Sequence, residues 1–148
     1  MMENPITQLE QLTLNNASRS FLKETAKWTY FLSIVGFVFV GLMVLVSFFA
    51  GALFSNLPNS EAMPFNFGPL MTIIYLVMAL IYFFPILYLF KFSTKMKIAL
   101  QSKIDEDLAA ALENLKSHYK FVGVFTIIII SIYVLFFLLA IIGGMFAY

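Results

Sequence analysis

Three long apolar runs dominate the chain, separated by two polar stretches of very different character. Thr29–Ser55 ("TYFLSIVGFVFVGLMVLVSFFAGALFS"), Phe67–Phe90 ("FGPLMTIIYLVMALIYFFPILYLF") and Phe121–Tyr148 ("FVGVFTIIIISIYVLFFLLAIIGGMFAY") run for 27, 24 and 28 residues without a charge. A hydrocarbon core about 30 Å thick needs about 20 helical residues, so each run can span with some tilt. Transmembrane strands would be about ten residues long and strictly alternating, which these runs are not. A stretch such as Ile127–Ile130 suits a strand in water, but in lipid each backbone group has to bond within its own segment. The pattern predicts three transmembrane helices. The "AGA" at Ala50–Ala52 resembles a cleavage site, yet the apolar run is far longer than a signal segment of about 7–15 residues. The first run therefore reads as a retained anchor.

The polar stretch between the second and third runs is rich in helix formers. Ser102 and Asp105 in "SKID" have the spacing of a capping box, with Asp in place of Glu or Gln. Asp105, Glu106 and Asp107 crowd a first turn, and Lys116, His118 and Lys120 crowd the later ones, as the helix dipole favours. Ile104, Leu108, Ala111, Leu115 and Val122 recur at helical spacing on one face. These features predict that the second helix runs on past Lys91 to about Gln101, turns, and meets a new helix starting at Lys103. Ile104, Leu108, Ala111 and Leu115 would form the seam of this tip. The alternative is a helix lying flat on the membrane, with its lysines at anionic headgroups. The acids and lysines within Lys103–Lys116 exclude a fourth span.

Basic residues set the orientation. All nine fall before the first run (Arg19, Lys23, Lys27) or between the second and third (Lys91, Lys95, Lys97, Lys103, Lys116, Lys120). The linker Asn56–Asn66 carries only Glu61, and positive residues stay on the cytoplasmic side in short loops. The expected fold is an all-α integral membrane protein with N-terminus inside and C-terminus outside, its second and third helices extended into a cytoplasmic hairpin. Residues 1–28 would be a cytoplasmic arm, with Met1–Ala17 a loose arm or short surface helix. Residues 29–148 would be one membrane domain with its tip at 91–120. Arg19, Lys23 and Lys27 recur every fourth residue as headgroup contacts, with Trp28 as an interfacial anchor.

Composition sharpens the function classes. The 148 residues are 61% hydrophobic and 11% charged, against about 45–50% and about 25% in soluble domains, so lipid has to solvate the excess. A net charge of +1 gives no basis for nucleic-acid binding. The absence of cysteine removes disulfides and thiolate chemistry. None of the three runs contains an acid, base or histidine, the groups that mark proton relays and ion paths. Ser33, Ser47 and Ser131 have no base beside them. His118 reads as a dipole partner and Asp105–Asp107 as first-turn charge, since the acidic cluster lacks the alternation and glycine of a calcium loop. No catalytic residue, metal or cofactor is implied.

What is left is helix contact. Ser47 with Gly51 and Ala140 with Gly144 are small-xxx-small pairs that let backbones approach closely. Pro85 interrupts the second helix and deprives the Ile81 carbonyl of its usual donor, which implies a kink. Tyr75 and Tyr82 share one face, for bonds across helices or for a pore lining. The expected function is a non-enzymatic membrane subunit acting through helix contacts, self-associating or serving as accessory or scaffold in a larger complex. The alternative is a homo-oligomeric pore or carrier lined by Tyr, Ser and Thr.

"YFFPILYLFKFSTKMKIAL" (Tyr82–Leu100) and "LAAALENLKSHYKFVGV" (Leu108–Val124) together resemble a family of small bacterial multi-span inner-membrane proteins known as a domain of unknown function. The resemblance covers roughly Trp28–Ala140 and is most recognisable at the tip. It implies a bacterial inner-membrane location and carries no functional residues with it.

Overall fold

A computed structural model describes residues 14–56 and 67–146, with side chains described up to residue 143. The expected arm before residue 14, linker residues 57–66 and residues 147–148 lie outside the described residues. The described chain is three helices: α1 Asn16–Ser55, α2 Phe67–Ser102 and α3 Asp105–Phe146. All three are long and apolar enough to cross a membrane.

Helix α1 begins earlier than its apolar run. The Asn15 side chain accepts a hydrogen bond from the Ser18 N–H at 2.7 Å, capping one of the unpaired first-turn donors. The basic stripe Arg19, Lys23, Lys27 thereby joins the same continuous helix as the apolar run. Helix α2 continues unbroken through Pro85 and ends at Ser102.

The turn differs from the expected capping box. Lys103 adopts φ 58°, the left-handed region, and its N–H donates to the Ala99 carbonyl at 3.0 Å. That is the single-bond left-handed cap that closes a helix C-terminus, here without the usual glycine. Ile104, not Ser102, precedes the first helical residue of α3, and its carbonyl accepts from Leu108 N–H at 3.3 Å. The Ser102 hydroxyl is drawn to Asp107, donating to Oδ2 at 2.6 Å. It also accepts weakly from Ile104 N–H at 3.4 Å. Two residues spent in the turn move the start of the helix from Lys103 to Asp105.

Helix α2 is the middle element. It packs on α1 along its length, as the pairs Tyr30–Phe90 and Phe37–Phe83 show, each with ring centroids 5.7 Å apart. At the other end Thr72 Oγ1 donates to the Ser47 carbonyl at 3.2 Å. Against α3 it packs from the turn to about its middle, where the Phe84 and Phe121 rings lie 6.4 Å apart. Beyond Phe125, every residue of α3 from Thr126 to Gly143 is exposed.

Two packing regimes follow along the molecule. Close to the turn, where lysines flank the helices, Phe92, Met96, Ala26 and Ala111 form a fully buried cluster. Leu22, Leu100, Leu108 and Leu115 surround it, so all three helices meet there. Here large side chains are buried, and taking a Leu, Met or Phe fully out of water is worth about 1.5–3 kcal/mol. Among the described residues of the apolar runs no large side chain is fully buried: the buried residues are Ser33, Val40, Ser47, Ala50 and Gly51 on α1, and Gly68, Ala79 and Pro85 on α2. Lipid solvates large apolar side chains as well as protein does, so close backbone approach governs there.

Candidate helix-contact site

Gly51 and Gly68 let the α1 and α2 backbones approach closely. A Cβ on Gly51 would run into Thr72 Oγ1 and lie 3.2 Å from the Gly68 carbonyl oxygen. A Cβ on Gly68 would run into Ser55 Oγ and lie 2.7 Å from the Gly51 carbonyl oxygen. Each glycine is the space the other helix occupies. Ser47 is fully buried one turn away, its hydroxyl donating to the Val44 carbonyl at 2.6 Å. The Ser47/Gly51 pair therefore packs within one chain, where it is not available to a second copy.

Farther along the seam the contact repeats every seventh residue. Ala26, Ser33, Val40 and Ser47 are all buried, a spacing that keeps one face of α1 on its neighbour. Opposite them Ser93 is fully buried, its hydroxyl donating to the Phe90 carbonyl at 2.9 Å. Ser33 and Ser93 were not singled out as contact residues by the sequence reading. The signal was present in the seven-residue spacing of small side chains.

The α2–α3 seam holds a contact that the sequence reading missed. His118 Nδ1 lies 2.8 Å from the Pro85 carbonyl oxygen, so Nδ1 carries the proton and donates. Pro85 is buried and His118 partly so. His118 is thus an inter-helix donor, and a role limited to its own helix dipole does not describe it. Of the expected tip seam, Ala111 is fully buried and Leu108 and Leu115 pack on the cluster. Ile104 does not belong to it. It is 50% exposed, because it stands in the turn ahead of the first helical residue.

The helix registers are offset. Thr29, the first residue of the first apolar run, neighbours Tyr30, whose ring meets Phe90 at the end of the second run, so α1 and α2 have their apolar runs level. Phe121 opens the third run yet pairs with Phe84. Six residues separate Phe84 from Phe90, about 9 Å of helix. Lys116, His118 and Lys120 consequently lie beside the apolar part of α2. Lys120 and Tyr88 line one groove there of about 490 Å³, which suits a long stem with its charged head turned outward.

The remaining candidates are more open. Trp28 is 59% exposed, Lys23 and Lys27 are exposed, and Arg19 is partly buried with its Nε lacking a hydrogen-bond partner. Tyr75 and Tyr82 are exposed, and so is Ala140; Gly144 follows Ala140 in α3 at the spacing of one helical turn. Among the described residues no three acids or histidines gather in a way that could hold a metal ion.

These features define a chain of three helices, each long and apolar enough to cross a membrane, joined by a small-residue seam on one side and a polar-flanked core on the other. The chain belongs to the family of unknown function DUF5362, whose sequence pattern matches residues 68–141. That match starts at Gly68 and ends next to Ala140, so it takes in α2 and nearly all of α3 and leaves α1 out. No curated protein and no solved structure matches the chain.

Proposed function

We propose that this chain is a non-enzymatic integral membrane protein that acts through helix contacts, self-associating or serving as an accessory or scaffold subunit of a membrane complex. Its N-terminus and the α2–α3 turn face the cytoplasm, and the end of α3 faces outside. The basic residues before α1 and around the turn support this orientation, and the resemblance stated above supports a bacterial inner membrane.

The exposed far half of α3 carries the proposal. Helices α1 and α2 satisfy each other's small-residue faces, whereas Thr126–Gly143 is exposed at every residue. Large side chains there are at ease in lipid, but bare backbone gains from another helix. Gly123 and Gly143 have no described atom within 4 Å of an added Cβ, so two such positions stand open on α3. Hydroxyls of the apolar runs support helix contact over a pore lining. Ser33, Thr126 and Ser131 donate to carbonyls of their own helices, Tyr30, Val122 and Ile127, at 2.7, 2.8 and 2.8 Å.

Purification in mild detergent followed by mass determination tests the proposal. A homo-oligomer or a stable hetero-complex is expected. Ala140→Leu or Gly144→Leu should lower the assembled mass while leaving insertion unchanged, since leucine is comfortable in lipid. A monodisperse monomer carrying no other protein would sink it.

A further inference from the structure

Helices α1 and α2 enclose an open groove of about 1020 Å³ at the end nearer the turn. Lys23 and Lys27 line it from α1, one helical turn apart, and Lys97 lines it from α2. Trp28 and Phe31 also line it, with rings 6.2 Å apart and edge to face. Glu24 is the acid among its lining residues, so three cations face one carboxylate. Lys97 is already positioned, its Nζ 4.3 Å from the centre of the Tyr30 ring.

We infer that this groove binds a single anionic phospholipid, its phosphate held by Lys23, Lys27 and Lys97 and an acyl chain laid along Trp28 and Phe31. Three features of the groove select that ligand. Its charge is positive at one end and its wall aromatic at the other, which is the polarity of a phospholipid. It lies where the apolar run of α1 begins and that of α2 ends, with Trp28 at the boundary. Its volume is at the upper end of ligand sites, which span about 300–1,000 Å³, and basic pockets between transmembrane helices hold anionic headgroups. The basic stripe of α1 alone would meet headgroups in general; Lys97 from a second helix converts that stripe into a site. The inference rests on the reading of these helices as membrane spans.

The full chain, purified in detergent, is offered phosphatidylglycerol and phosphatidylcholine of the same chain length, and retained lipid is counted by native mass spectrometry. One retained phosphatidylglycerol is expected, held at least tenfold more tightly than phosphatidylcholine and not displaced by excess glycerol phosphate. Lys97→Gln and Lys23→Gln/Lys27→Gln should each lose that preference, and Lys97→Arg should keep it. Lys116→Gln/Lys120→Gln removes as much charge as the α1 double variant but from α3, away from this groove, and should change nothing. Equal retention of the two lipids, equal loss in both double variants, or displacement by glycerol phosphate would overturn the site. Flotation with vesicles of pure phosphatidylcholine separates the two levels of the argument. A chain that floats there spans or enters a bilayer whatever its headgroup preference, and one that stays in the aqueous layer removes the membrane reading and the lipid site with it.

Discussion

His118 on α3 donates from Nδ1 to the carbonyl oxygen of Pro85 on α2, across 2.8 Å and 33 positions of sequence. The geometry requires the Nδ1–H form whenever the ring is neutral. Nitrogen shifts of His118 in the labelled protein should accordingly report a protonated Nδ1 and a bare Nε2. His118→Ala removes a partly buried bond worth about 1 kcal/mol and should lower stability in detergent by about that much. Hydrogen exchange should quicken along α2 and α3 but stay unchanged where α1 packs on α2 near Gly51. The opposite proton position would remove the contact from the account.

Gly51 and Gly41 make opposite predictions although both are glycines in α1. Gly51→Ala places a methyl against Thr72 and the Gly68 backbone, and overpacking of that kind costs about 1–3 kcal/mol. A Cβ on Gly41 meets no described atom within 4 Å, so Gly41→Ala should gain up to about 1 kcal/mol from helix propensity. Gly36→Ala belongs between them, since its Cβ would meet only the Ile86 side chain, at 2.9 Å. Thermal unfolding of the three variants checks the order.

Lys103 stands in the left-handed region, which costs a side-chain-bearing residue roughly 1–2 kcal/mol. Lys103→Gly should recover part of this, about 0.5–1 kcal/mol after the extra freedom of the unfolded chain is counted. Lys103→Pro should cost about 3 kcal/mol or more, because it fixes φ at the wrong sign and removes the N–H that Ala99 accepts. Proteolysis near residues 101–107 should slow in the first variant and accelerate in the second.

Leu108 and Ile104 separate the seam from the turn. Leu108→Asp forces a carboxylate against the Phe92–Met96–Ala111 cluster, forgoing a burial worth up to about 1.5–3 kcal/mol. Protease should then cut the turn faster. Ile104→Asp, at a half-exposed position, should change cutting little. If protection of the parent chain depends instead on anionic lipid and on Lys103 and Lys116, the tip lies on the membrane surface and does not project.

Orientation has a direct assay. A reporter active only outside the cytoplasm should work when fused after Tyr148 or between residues 57 and 66, and stay silent at Ser102. Activity at Ser102 would reverse the proposed orientation.

Much of the helical architecture was legible because run length decides it: apolar stretches of 24 to 28 residues have few other fates. The tip was legible in part. Leu108, Ala111 and Leu115 obey the rule of water, in which large apolar residues mark the buried face. Inside the apolar runs that rule is inverted. The contact face is marked by Ser33, Ser47, Gly51 and Gly68, and the phenylalanines and isoleucines point largely outward, so hydrophobicity there carries little positional signal. The turn was misjudged by two residues, since a lysine in the left-handed region gives no glycine cue. The partner of His118 depended on a register between helices that no local pattern encodes.

Helix α3 is gripped near one end and free at the other, which makes it a lever. Its fulcrum is the contact of Phe121 with Phe84. Ala111 stands ten residues to one side, about 15 Å away, and Gly143 twenty-two residues to the other, about 33 Å away. As a stiff rod, α3 would return any sideways displacement of Ala111 at Gly143 in the opposite direction and about twice as large. An ångström of repacking around Phe92 and Met96 is therefore felt as a swing of roughly two at the far end.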